Sequence, residues 1–141
     1  MEPAELPSPE AIVARMMERD AFSRALGMTV EAVSPGRCVL SLTVRDDMCN
    51  GFGIAHGGIS YSLADSALAF AANAKGRVAV SAKTGIAHFA PVSAGERIRA
   101  EAREIHAGKK LAHYRIDINN EKGEAVAEFD GTVYLTSKNW Q

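Results

Sequence analysis

One carboxylate interrupts an otherwise uncharged stretch of this 141-residue chain. Residues 57–74, GGISYSLADSALAFAANA, contain Asp65 and no other acidic or basic side chain. The length, the Ala and Leu content and the absence of proline predict one long helix, apolar on nearly every side and therefore buried on nearly every side. Asp is rarely buried without a partner, and the residues one turn away are Tyr61, Ser62, Leu68 and Ala69, none of them cationic. A hydroxyl from Ser62 or Tyr61 could hold the charge, or a rim position could expose it. Otherwise the carboxylate is a candidate general base or nucleophile facing a pocket.

The same helix offers a second chemical group. His56-Gly57-Gly58 sets backbone without side chains at the helix start, where the dipole is positive and the first N–H groups lack partners. A carbonyl oxygen gaining negative charge could be held there, as in an oxyanion hole. Gly57 and Asp65 lie eight residues apart, about 12 Å along a helix. Both cannot serve one acyl carbon within one subunit. If two such helices lie antiparallel across a two-fold axis, Asp65 of one approaches Gly57 of the other.

Competing chemistries find little support. His88, His106 and His113 are dispersed, without the spacing of a metal site, so no metal is expected. Cys49 has no identifiable base and reads as a small loop residue. No Ser sits in a G-x-S-x-G context, and neither G-x-G-x-x-G nor a P-loop occurs, so no organic cofactor is expected. Arg97, Arg99 and Arg103, interleaved with Glu96, Glu101 and Glu104, read as a solvated strand face. The turn Gly108-Lys109-Lys110 suits a phosphate-bearing ligand.

The elements that position these groups follow from patterning. Residues 1–9, with Pro3, Pro7 and Pro9, read as a loose lead-in, and residues 10–137 as a single domain. Ser8-Pro9-Glu10 opens a short helix carrying Ile12, Val13, Met16 and Met17 at helical spacing. From Met28 the period becomes two, and Pro35-Gly36 turns a hairpin between residues near 30 and near 42. Residues 45–56 form a loop. After the long helix, residues 78–89, 96–105, 114–118 and 125–135 read as strands of an antiparallel meander with turns at 91–95, 107–110 and 119–123. A sheet with no second helical layer to cover it must curl around the one long helix. One side of that helix would still lack cover, so a dimer at least is expected.

Composition excludes several classes. The formal net charge of −1 gives no electrostatic case for nucleic acid or a membrane surface. Two cysteines suit a reducing, cytoplasmic setting, and the N-terminal residues lack the basic and apolar regions of a signal peptide. Hydrophobic residues make up 47% but aromatics only 6%. The core must therefore be built from small side chains that let elements approach closely.

Asn50, then His56-Gly57-Gly58, then Leu63-Ala64-Asp65 resemble, in type and spacing, the acyl-CoA thioesterases of the hotdog superfamily, in their phenylacetic-acid-degradation (PaaI-type) branch. The resemblance covers residues from about 20 to 136. It implies an α+β hotdog fold, a long antiparallel sheet wrapped around one central helix, with a short helix ahead of it. It implies hydrolysis of an aryl-acetyl-CoA, such as hydroxyphenylacetyl-CoA, without a cofactor. Asp65 would be the catalytic carboxylate and the Gly57 amide would polarise the carbonyl, with Gly58 beside it. Asn50 and His56 would stand by the leaving thiol and order the loop. Ser81, ten residues before Pro91, falls where some relatives keep a hydroxyl near the attacking water. The nucleotide of CoA would lie near Lys109 and Lys110. The assembly would be a homodimer completing the site, paired into a homotetramer. Ala90 departs from the basic residue that relatives often carry there. A hotdog enoyl-CoA hydratase or dehydratase and a non-catalytic acyl-CoA-binding module are the alternatives.

Overall fold

Ser8 opens helix α1 (Pro9–Arg19) as its sequence signals. Its Oγ accepts from the Ala11 amide at 3.1 Å, and Pro9 occupies the first turn, where a missing N–H costs nothing. The structure, a computed structural model, describes residues 4–141. Pro3 and the first third of the expected lead-in lie outside the described residues. Asp20 then ends α1 and caps a second helix, α2 (Ala21–Ala25), its Oδ1 accepting from the Ser23 amide at 2.9 Å. Sequence patterning missed α2, because five residues are too few to show a period.

A hairpin of β1 (Thr29–Ser34) and β2 (Arg37–Thr43) leads through a loop into the long helix α3 (Gly57–Asn73). Four strands follow: β3 (Arg77–His88), β4 (Arg97–Ala107), β5 (Leu111–Asn120) and β6 (Ala125–Asn139). All pairings are antiparallel, in the order β1-β2-β4-β5-β6-β3. The meander expected after the helix holds only for β4, β5 and β6. The strand that leaves α3 crosses to the far edge and pairs with β6, while β4 pairs back to the hairpin. Period-two patterning reveals which residues share a face but not which strands are neighbours. Strand β6 also runs on past 137, and the Trp140 amide donates to Gly76 O at 2.8 Å.

The helix lies on the concave face of this sheet, with Leu63, Ala64, Ala67, Leu68, Phe70, Ala71 and Ala72 buried. Small residues set its distance from the strands. A Cβ on Gly131 of β6 would lie 2.5 Å from Leu68 Cδ2, so the bare backbone at 131 is what admits the helix. Burial on nearly every side is not observed. A stripe at Gly58, Ser62, Asp65, Ser66 and Ala69 remains half-buried, one helical face left uncovered by the sheet. Beside it β3 forms a sheet edge, with Val80 54% exposed and Ser81 also exposed. Among the described residues no helix is long and apolar enough to cross a membrane.

Candidate active site

Two cavities open along α3, one at its N-terminus and one at its middle. The first, about 360 Å³, is lined by Asn50, Gly57, Ser60, His88, Phe89 and Pro91 among others. His56 is the N-cap of α3, and its Nδ1 accepts from the Gly58 amide at 2.8 Å. The cap therefore occupies the Gly58 N–H, one of the two amides the glycine pair offered. The Gly57 amide keeps no hydrogen-bond partner among the described residues. It is the donor left for a ligand.

Asn50 orders the loop that leads into this cap. Its Oδ1 accepts from the amides of Phe52 at 2.9 Å and Ile54 at 3.4 Å, while its own amide donates to Ile54 O at 2.8 Å. The His56 amide donates to Met48 O at 2.8 Å, which fixes the end of the loop. Cys49 is bridged to Ala55 within the same loop.

His88 also belongs to this cavity, although its sequence context suggests nothing beyond a dispersed histidine. It ends β3, with its Nδ1 3.5 Å from Ser60 Oγ. A Cβ on Gly57 would lie 3.1 Å from His88 Nε2, so the imidazole packs directly against the glycine. The register that carries residue 88 to the start of α3 comes from β3 pairing with β6, which a single sequence does not reveal.

Asp65 faces the second cavity, about 690 Å³, together with Asp20, Ser23, Ser66, Phe70 and Trp140. It accepts no hydrogen bond from either neighbouring hydroxyl. Ser62 Oγ donates instead to Gly58 O at 2.6 Å, and the Tyr61 hydroxyl pairs with Thr84 Oγ1. Burial pushes the Asp65 carboxyl above its ordinary pKa, and the neighbouring Asp20 carboxylate pushes it further. Asp20 is itself held by Ser23 Oγ at 2.7 Å, and Ser23 Oγ shares a 2.7 Å bond with Ser66 Oγ. A raised pKa makes the ionised carboxylate a stronger base toward water than an ordinary Asp.

Gly57 and Asp65 thus open into different cavities of one subunit, as their spacing along the helix requires. The structure brings Asn50, Gly57, Ser60 and His88 together and leaves Asp65 apart from them. Ser81 lies on the exposed edge strand opposite Val133, in neither cavity. Lys109 and Lys110 lie exposed in the β4–β5 turn, at the opposite end of β3 from His88. There Lys109 O accepts from the Arg77 guanidinium at 3.1 Å. Among the aromatic residues, Phe70 is buried and reaches the second cavity, and Phe89 lines the first. Tyr61 packs edge-on against Phe129 at 5.1 Å, and Phe52 is 90% exposed in the loop.

Residues 52–127 match the family described as the thioesterase superfamily. The chain is 39% identical to the acyl-coenzyme A thioesterase PaaI of Escherichia coli (strain K12), over 82% of this chain and 83% of that protein. It is 29% identical to the human acyl-coenzyme A thioesterase 13, over 88% of this chain and 91% of that one. The solved structure of the E. coli PaaI protein from the phenylacetic acid degradation operon superposes with a TM-score of 0.91 at 34% identity, covering 94% of this chain and 96% of the other.

Proposed function

Since this chain belongs to the thioesterase superfamily and has the hotdog fold, we propose that it hydrolyses acyl-CoA thioesters, at a site shared between two subunits. The observation that carries the reading is the pair of groups on α3: an amide at Gly57 and a carboxylate at Asp65, neither with a partner among the described residues, Asp65 within the half-buried stripe and Gly57 next to its start. In a two-fold dimer with antiparallel α3 helices, the thioester oxygen accepts from the Gly57 amide of one protomer. Asp65 of its partner removes a proton from water as the water oxygen attacks the carbonyl carbon. The tetrahedral adduct then collapses, the carbon–sulfur bond breaks, and CoA leaves as a thiolate that takes up a proton. Direct attack by Asp65 would instead pass through a mixed anhydride. Single-turnover hydrolysis in ¹⁸O-water separates the two, because only the anhydride route carries label into the protein carboxylate.

Asn50 and His56 act through the loop and the cap, keeping Gly57 N–H aimed outward, while Ser81 on the dimer-facing edge assists the attacking water. The acyl group is an aryl-acetyl group such as hydroxyphenylacetyl. The likeness to the PaaI protein from the phenylacetic acid degradation operon supports this, as do Phe22, Phe70 and Trp140 around the Asp65 cavity. Lys109 and Lys110 contact the CoA phosphates. Free-thiol release from a panel of acyl-CoA esters tests the whole reading. Asp65→Asn is expected to fold and to lose at least about a hundredfold in kcat, the usual scale for a missing general base. Full activity in that variant would overturn the site.

A further inference from the structure

Among the residues that line the cavity beside Asp65 is a tryptophan that lies apart from the core. Trp140 lies outside the buried hydrophobic cluster and is only half-buried, yet it is held at several points. Its amide donates to Gly76 O at 2.8 Å and its indole Nε1 donates to Asn73 Oδ1 at 2.9 Å. Asn73 is 2% exposed and fully engaged. Its Nδ2 donates to Ala69 O at 2.8 Å and Ala79 O at 3.0 Å, and its Oδ1 also accepts from the Ala79 amide at 3.0 Å. The Arg15 guanidinium donates to Gln141 O, tying the next residue to α1. An indole fixed in this way is a wall. Asn73, which holds the indole, lies eight residues beyond Asp65, about 12 Å further along the helix axis. Met16, Phe22, Ala69 and Phe70 line the same cavity, as do the exposed Arg15, Glu18 and Arg19.

We propose that this cavity receives the acyl group and that Trp140 is the specificity-determining residue that limits its length. The proposal rests on Asp65 acting at the thioester carbonyl, because that fixes where the acyl group begins. From that point an acyl chain grows along α3 over Ala69 and Phe70 until it meets the indole. Trp140 neither touches the reacting atoms nor contributes to the core. Its removal therefore changes which acyl groups fit.

The test is kcat/KM across a series of straight-chain acyl-CoA esters of increasing length. For the wild type, kcat/KM rises with chain length and then falls once the chain reaches the indole. In Trp140→Ala the maximum moves to longer chains, each newly accommodated methylene raising kcat/KM by about fourfold. Trp140→Leu gives a smaller shift in the same direction, and it decides the matter should the alanine variant not fold. An unmoved maximum in a folded variant overturns the proposal. Asp65→Asn measured on the same series separates this failure from that of the catalytic reading. If Asp65→Asn is inactive while the maximum stays put, only the length limit falls. If Asp65→Asn hydrolyses every ester normally, the acyl group has no fixed starting point and both fall.

Discussion

Asp65 carries a charge that its surroundings disfavour, and the pH at which it ionises decides when it can accept a proton. Burial is the larger cause of its raised pKa and the Asp20 carboxylate the second. Arg15, Glu18 and Arg19 line the same cavity and share the local field. The acid limb of the kcat profile should therefore lie above the ordinary carboxylate range. Asp20→Asn removes the second cause and leaves the first. It keeps the cap of α2, because Asn serves as well as Asp at that position. The limb should move to lower pH yet stay above the ordinary range, and an unmoved limb would show that Asp20 does not act on Asp65. Stability follows with the opposite sign. The folded chain keeps the Asp65 proton to higher pH than the unfolded chain does. Stability is therefore lost as pH rises from the unfolded pKa through the raised folded one. Asp65→Asn should melt higher than wild type at neutral pH, and the gap should close as the pH falls below the ordinary carboxylate range.

At the scale of elements, α3 was legible because composition alone marks it: one proline-free apolar run opening at a cap residue and a pair of glycines. The strands were legible as alternating faces, but their neighbours were not, and this is why His88 reads from sequence only as a dispersed histidine. Its place beside Gly57 depends on β3 leaving the meander order to pair with β6. The closeness of α3 to β6 was foreshadowed by the small-residue composition, though nothing in the sequence singles out Gly131 as the point of contact. The edge position of β3 also bears on the phosphate question. If β3 pairs antiparallel with its copy, its Arg77 end lies near the His88 end of the partner strand. The β4–β5 turn joined to Arg77 would then stand beside the first cavity of the partner subunit. Lys109 and Lys110, remote from Gly57 in their own chain, would there reach the nucleotide of a bound CoA. Replacing both with Ala should raise KM for acyl-CoA by about tenfold, the scale of a lost charge-assisted hydrogen bond, with kcat nearly unchanged. A short thioester without the nucleotide should show no change. Equal effects on the two substrates would remove these lysines from the site.

The whole molecule presents an uncovered helical stripe, an unpaired sheet edge and two half-sites in separate cavities, and one symmetric association would account for all three. That association can be tested without a further structure, because each half-site can be disabled alone. Asp65→Asn removes the carboxylate. Gly57→Pro removes the amide hydrogen at the first helical position, where proline suits the helix. The preceding His56, at φ −60 and ψ 138, is already in the extended region that precedes proline comfortably. The new ring must displace the exposed His88 imidazole, which stands 3.1 Å from the Cβ position. Each variant alone should be nearly inactive. In a mixed dimer, one composite site has the intact Gly57 of the first chain and the intact Asp65 of the second, while the other site has neither. Equimolar exchange makes half of the dimers mixed, each with one working site of two, so activity should recover to about one quarter of wild type. Recovery should require exchange through a dissociated state and be absent when the folded variants are merely combined under conditions that keep dimers intact. If exchanged mixtures stay as inactive as their parents, the carboxylate and the amide do not meet across the two-fold, and the shared site is excluded.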